Sequence, residues 1–155
     1  MGQNVLNYTT KIPVDRTTGE VQRMLAQRGC SAVAMHYTED GRADGLSFTL
    51  RTPHGERAFH MPVNLDGVLL LLQTPAVRSR ASKDRKKYDT PEHAEAVAWR
   101  IVRDWLEAQL ALVDANMASL DQVMLPHLRV DPEHTLYEAY KAREDALTLT
   151  AGASS

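Results

Sequence analysis

The chain has a single cysteine, Cys30, in 155 residues. No disulfide can form within it, which excludes a stapled scaffold and fits a reducing compartment, so a cytoplasmic location is expected. Long apolar runs are missing too. The longest, Val68–Leu72, falls far short of the ~20 residues that a spanning helix needs. The opening MGQNVLNYTTK has no apolar stretch of signal-peptide length, and no membrane is expected among the partners. Net charge is only -2, which argues against a protein that binds polyanions over its whole surface.

The signatures of familiar chemistry are also lacking. Histidines stand at 36, 54, 60, 93, 127 and 134 without an HExxH or Cys/His cluster, so no metal or cofactor is expected. His36 and His60 are placed to face each other on neighbouring strands, and the plainer reading of all six is surface or strand-face histidine. Cys30 follows Gly29 at a helix end, the wrong terminus for an activated thiol, and reads as a small buried side chain. No serine elbow, P-loop or dinucleotide fingerprint occurs. TEDGRADG (38–45) has acids and glycines without calcium-loop spacing and reads as a hairpin connection. No catalytic residue is nominated, and a non-enzymatic protein is expected.

What is present is the makeup of a globular domain, 43% hydrophobic and 25% charged. Tyr8–Val14 predicts a short strand ended by Pro13. TTGE offers a capping box, Thr17 to Glu20, for a helix with Val21, Met24, Leu25 and Arg28 on one face and a stop at Gly29. Three alternating segments follow. Val33, Met35 and Tyr37 oppose Ala32, Ala34 and His36; Leu46, Phe48 and Leu50 oppose Ser47, Thr49 and Arg51; Phe59, Met61 and Val63 point inward and His60 outward. Period two with one polar face predicts an antiparallel meander covered on one side. Asn64–Gln73 predicts a short buried helix. Thr90, Pro91 and Glu92 open a long one, continuing to about Leu125 before Pro126, roughly 35 residues with a weak point at DANMAS. A last helix over 131–145 would make its contacts through Leu136, Tyr137 and Tyr140.

The expected architecture is α+β: a small antiparallel sheet of three to four strands packed on an N-terminal helix, then a long C-terminal helix and a terminal helix. Residues 1–77 form the sheet subdomain, 78–90 a basic linker, 91–148 a helical arm of the same domain, and 149–155 a flexible tail.

Charge is unevenly placed. Acids and bases balance over 1–77, seven against seven; 78–88 holds six bases and one acid; 89–155 holds five bases and twelve acids. Arg78, Arg80, Lys83, Arg85, Lys86 and Lys87 are therefore the candidate contacts for phosphates, with Tyr88 as a base-stacking side chain. The plain alternative is a soluble spacer, or one that docks on the acidic C-terminal region of a neighbouring subunit. On the long helix Ile101, Trp105, Ala108 and Leu112 form one stripe and Val102, Leu106 and Val113 another. This is more apolar surface than a small sheet covers, so a helical hairpin or a homo-oligomer surface is expected. Trp99–Arg100 admits a stack-and-pair reading toward an anion, though packing is the commoner use of such a tryptophan. Ser47, Thr49, Arg51, Arg57 and His60 make a polar, mildly basic sheet face, a possible binding surface or an ordinary wet one.

Two stretches carry a resemblance. TKIPVDRTTGEVQRMLAQRG (10–29), followed by DGLSFTLRTPHGERAFHMPV, and then AWRIVRDWLEAQLALVDANMASLDQVMLPHL (98–128) resemble a small protein family of phages, prophages and actinobacterial genomes. Its function is unassigned. The family's Trp-Arg pair, Ala/Leu-rich helix, small-residue step and Leu-Pro segment recur here over about two thirds of the chain. The resemblance implies a mobile-element setting and no active-site residues, and the basic segment is not among the matching parts. Three expectations result: a nucleic-acid accessory (DNA or RNA) using the basic segment; an inhibitor or adaptor that binds a host or defence protein or sequesters a small nucleotide; or an oligomeric assembly protein.

Overall fold

The three alternating segments form one antiparallel meander: β1 Cys30–Tyr37, β2 Ala43–Thr52 and β3 Gly55–Pro62, in the order β1-β2-β3. The structure is a computed structural model that describes the backbone of residues 5–153 and the side chains of residues 5–146. Register brings Val33, Phe48 and Phe59 into one row and Met35, Leu46 and Met61 into the next, so the apolar alternation of all three strands falls on one face. Phe48 and Phe59 stack with centroids 5.0 Å apart. Each fully buried side chain of this kind contributes ~1.5–3 kcal/mol. Tyr37 departs from the alternation. A register shift between His36 and Tyr37 turns it outward, and it is 63% exposed. The β2–β3 connection is tight because Gly55, at φ 103°, takes a left-handed turn that a side chain would resist.

Helix α1 (Val14–Ala26) precedes the sheet and α4 (Pro91–Asp114) covers it. Helix α1 starts one turn earlier than the Thr17 capping box predicts. Pro13 is its extended cap residue, and Thr17 lies fully buried inside the helix. Burying Val14, Val21 and Leu25 against the main core outweighs a local cap. Gly29, at φ 94°, supplies the expected stop. Tyr8–Val14 forms no strand. Asn7 adopts a left-handed φ of 63° in a turn, its side-chain Nδ2 donates to Asp104 Oδ2 at 2.9 Å, and the segment has no strand partner among the described residues.

Helix α4 is 24 residues long, shorter than the 35 expected. It stops at the predicted weak point, where Asn116 is left-handed (φ 61°) and the chain turns into a one-turn helix α5 (Leu120–Val123) and a 3-10 turn, Leu125–His127. Thr90 caps it as predicted, accepting from the His93 amide. Its core side chain is Trp99, fully buried, whose Nε1 donates to the Ala43 carbonyl at 2.9 Å. The Ala43 amide donates to Glu95, one turn earlier. Two side chains of α4 thus hold both backbone groups of Ala43, at the start of β2. The stack-and-pair reading of Trp99–Arg100 fails: the ring is core, and Arg100 is held by Glu20 at 3.1 Å.

A second, smaller core lies on the other side of α4. Val5, Leu72, Val77, Tyr88, Ala94 and Val97 are its buried members, gathered from the N-terminal segment, α2 (Leu65–Leu72), α3 (Pro75–Asp84), the loop after α3 and α4. The last helix, α6 (Leu136–Ala153), is attached by its first turn, through the Leu136 amide to the Leu128 carbonyl. Tyr137 and Tyr140, expected as its contacts, are 55% and 57% exposed. The backbone of 149–153 continues this helix where a fraying tail was expected; Ser154 and Ser155 lie outside the described residues.

Candidate nucleic-acid interface

The stretch read as a linker is helical over much of its length. Its composition conceals an i, i+4 stripe, Val77 and Ala81, that packs into the smaller core. Pro75 occupies the first turn of α3. The helix ends in a double stop: the Lys86 amide reaches the Ala81 carbonyl at 2.9 Å and the Arg85 amide the Ser82 carbonyl at 3.2 Å, with Arg85 left-handed at φ 54°. This fixes the direction in which residues 86–89 leave.

Arg78, Arg80, Lys83, Arg85, Lys86 and Lys87 are all exposed on α3 and the loop after it. They divide into two groups. Arg80 pairs with Asp84 at 3.1 Å and Arg78 with Asp89 at 3.6 Å. No carboxylate among the described residues comes within ion-pair distance of Lys83, Arg85, Lys86 or Lys87, because both acids of the segment are committed elsewhere. Asp84 accepts from the Tyr88 hydroxyl at 2.8 Å as well as from Arg80. The Tyr88 bond, helped by Arg80 and the nearby charge of Lys86, holds its carboxyl below the usual carboxylate range.

Tyr88 is not available for base stacking. Its side chain is 5% exposed, edge-on to Tyr8 at 5.7 Å and tilted against His93 at 5.2 Å. His93 in turn hydrogen-bonds the Tyr8 carbonyl through Nε2. The alternation along Lys87–Tyr88–Asp89 sends the aromatic ring inward because the smaller core has a place for it. Tyr88 is an anchor for the loop rather than a contact.

This aromatic cluster brings in residues that sequence reasoning missed. The N-terminal segment lies beside the loop, and Thr9, Thr10, Lys11, Lys86, Lys87, Tyr88 and His93 line a groove of about 270 Å³. Lys11 is 75 positions from Lys86, and no periodicity links them. The one usable signal is that TTK before Ile-Pro carries hydroxyls and a cation where a strand would need apolar alternation.

The other candidate surfaces are less concentrated. Of the α4 stripe, Ile101 packs in the smaller core and Trp105 against the main one, with its ring 6.1 Å from His127; Ala108 and Leu112 remain exposed. On the open sheet face, His36 and His60 do not lie on adjacent strands. They meet across β2, rings 5.0 Å apart, and Ser47 Oγ bonds both, His36 Nε2 at 2.7 Å and His60 Nδ1 at 3.0 Å. Burial, with the charge of Arg129, lowers the His60 pKa. Arg57 is spent on the hairpin carbonyls of Glu56 and His54. Arg51 lines a groove of about 550 Å³ with Arg28 and Met117. Cys30 is buried, which pushes its thiol up to about 11 and keeps it unreactive. Among the described residues, no three potential metal ligands come together. Comparison with protein-family models, with curated proteins and with solved structures finds no match to this chain.

Proposed function

We propose that the protein works by binding rather than catalysis, as a phage-type nucleic-acid accessory whose contact surface is the basic edge of α3 and the following loop. The observation that carries this reading is the set of four exposed cations, Lys83, Arg85, Lys86 and Lys87, left without carboxylate partners among the described residues on a helix end and the loop after it. Cations that no described carboxylate neutralises can meet a phosphate backbone and release its counterions without first breaking an ion pair. Arg78 and Arg80, already paired, give weaker support. Lysines and arginines with no base-reading partner favour backbone contact without sequence preference.

The test is fluorescence anisotropy with single-stranded and duplex DNA and RNA at two salt concentrations. Micromolar or tighter binding is expected, weakened by salt and lost when Arg85, Lys86 and Lys87 are all changed to Ala. Absence of binding at low salt would make the segment a solvated spacer.

A second reading, an inhibitor or adaptor of a host or defence protein, is favoured by the uncovered sheet face, where Ala32, Ala34 and Ala58 lie exposed around Ser47 and Thr49. It predicts a partner in host-lysate pull-downs that survives charge reversal of the basic edge. Of the stripe expected for self-association along α4, Ala108 and Leu112 are left exposed, and light scattering tests it.

A further inference from the structure

We propose that the groove between the N-terminal segment and the loop after α3 receives a terminal phosphate: the phosphomonoester end of a nucleic-acid strand or of a mononucleotide. As applied to nucleic acid, this rests on the reading of the basic edge given above. It adds a site at one end of that edge, built partly by residues outside it.

Three lysines, Lys11, Lys86 and Lys87, line this groove together with Thr9 and Thr10. A phosphodiester presents one negative charge; a phosphomonoester presents ~1.5–2 at neutral pH, with three acceptor oxygens. Three lysines around one groove match the second better than the first. Size points the same way. At about 270 Å³ the groove is below the ~300–1,000 Å³ of pockets that enclose a whole ligand. It suits an end group with its remainder outside. Tyr88 lines the groove and is itself buried in the Tyr8–Tyr88–His93 cluster, so the two walls are tied together before any ligand arrives. That preorganisation lowers the ordering cost of binding. Arg85 and Lys83 precede the groove lysines along the chain, so a strand seated by its end in the groove would continue over them.

The test compares a short oligothymidylate carrying a 5′-phosphate with the same strand carrying a 5′-hydroxyl, on the full chain. The wild type should bind the phosphorylated strand about tenfold tighter. Lys11→Ala should abolish that difference while lowering affinity for the hydroxyl strand by no more than about threefold, and Lys11→Arg should keep it. Equal affinity of the wild type for both strands overturns the proposal, as does a preference that survives Lys11→Ala. AMP as competitor separates the sources. Displacement by AMP and not by adenosine supports recognition of the phosphomonoester in free nucleotides as well as in strands. Equal displacement by adenosine means that the sugar or base is recognised, and overturns it. If no oligonucleotide binds at all, the basic-edge reading fails by itself. The groove is then judged by calorimetry with AMP: binding lost in Lys11→Ala supports it, and no binding ends it.

Discussion

The molecule holds two clusters of basic side chains that are treated in opposite ways. Between α1 and α4, Arg100 and Arg103 both reach Glu20, at 3.1 and 3.0 Å, and Arg103 also reaches Asp104 at 3.2 Å and Glu107 at 2.6 Å. Asn7 adds a bond to Asp104 from the N-terminal segment. Burial alone would raise the Glu20 carboxyl; hydrogen bonds and charge from Arg103 and Arg100 outweigh it and hold the group below its usual value. Arg100 is only 13% exposed, and its Nε has no partner, a polar cost accepted to place the guanidinium there. At the end of α3, Lys83, Arg85, Lys86 and Lys87 are exposed and have no such carboxylates among the described residues. One cluster ties helices together. The other keeps its charge exposed at the surface. Counting bases in the sequence cannot separate the two roles, and geometry can.

Four predictions bear on that contrast. Reversing all four unpaired cations to Glu should cost at least about a hundredfold in oligonucleotide affinity while the melting temperature holds or changes little, since no described carboxylate loses a partner. A large fall in melting temperature would mean that these residues are structural after all. Arg100→Ala should do the converse. It removes a mostly buried donor from Glu20 and Thr17, and urea unfolding should show a loss of about 2–3 kcal/mol with binding intact. Glu20→Gln tests the sign of the pH dependence. A carboxyl whose folded pKa is depressed contributes stability above its unfolded value, near ~4.3, and loses it as pH falls through the folded value. Urea midpoints of the wild type should therefore drop between neutral pH and pH ~3 more than those of the variant. The smallest effect belongs to Tyr88→Phe. It removes the hydroxyl bond to Asp84 and keeps the ring in the smaller core, so affinity for nucleic acid should stay within about twofold; a large loss would restore Tyr88 as a direct contact.

Much of the fold was legible because it is written in short-range patterns. The meander follows from alternation at Leu46, Phe48, Leu50, Phe59 and Met61, and the start of α4 from Thr90, Pro91 and Glu92. Where local and tertiary preferences competed, the tertiary ones won. Thr17 gave up its cap because Val14 had a core to reach. The segment after Pro75 became a helix because Val77 and Ala81, two apolar positions among many polar ones, had a face to pack on. Tyr88 could not be told from a stacking residue without the Tyr8 and His93 rings that enclose it. Of the candidate interface, the basic residues were visible in sequence, but which of them are already neutralised was not. The link from Lys11 to the basic segment was hidden, because its neighbours in the groove are brought to it by a turn at Asn7 and a helix stop at Arg85.

The most direct test is the salt dependence of single-stranded DNA affinity, measured for the wild type and for the variant with the four unpaired cations reversed. If those four neutralise about four phosphates, the logarithm of the wild-type association constant should fall against the logarithm of salt concentration with a slope near about -3, and the variant should show little binding and almost no slope. A flat wild-type line, or a variant that binds as tightly as the wild type, would contradict the claim that this edge keeps its charge for a phosphate backbone.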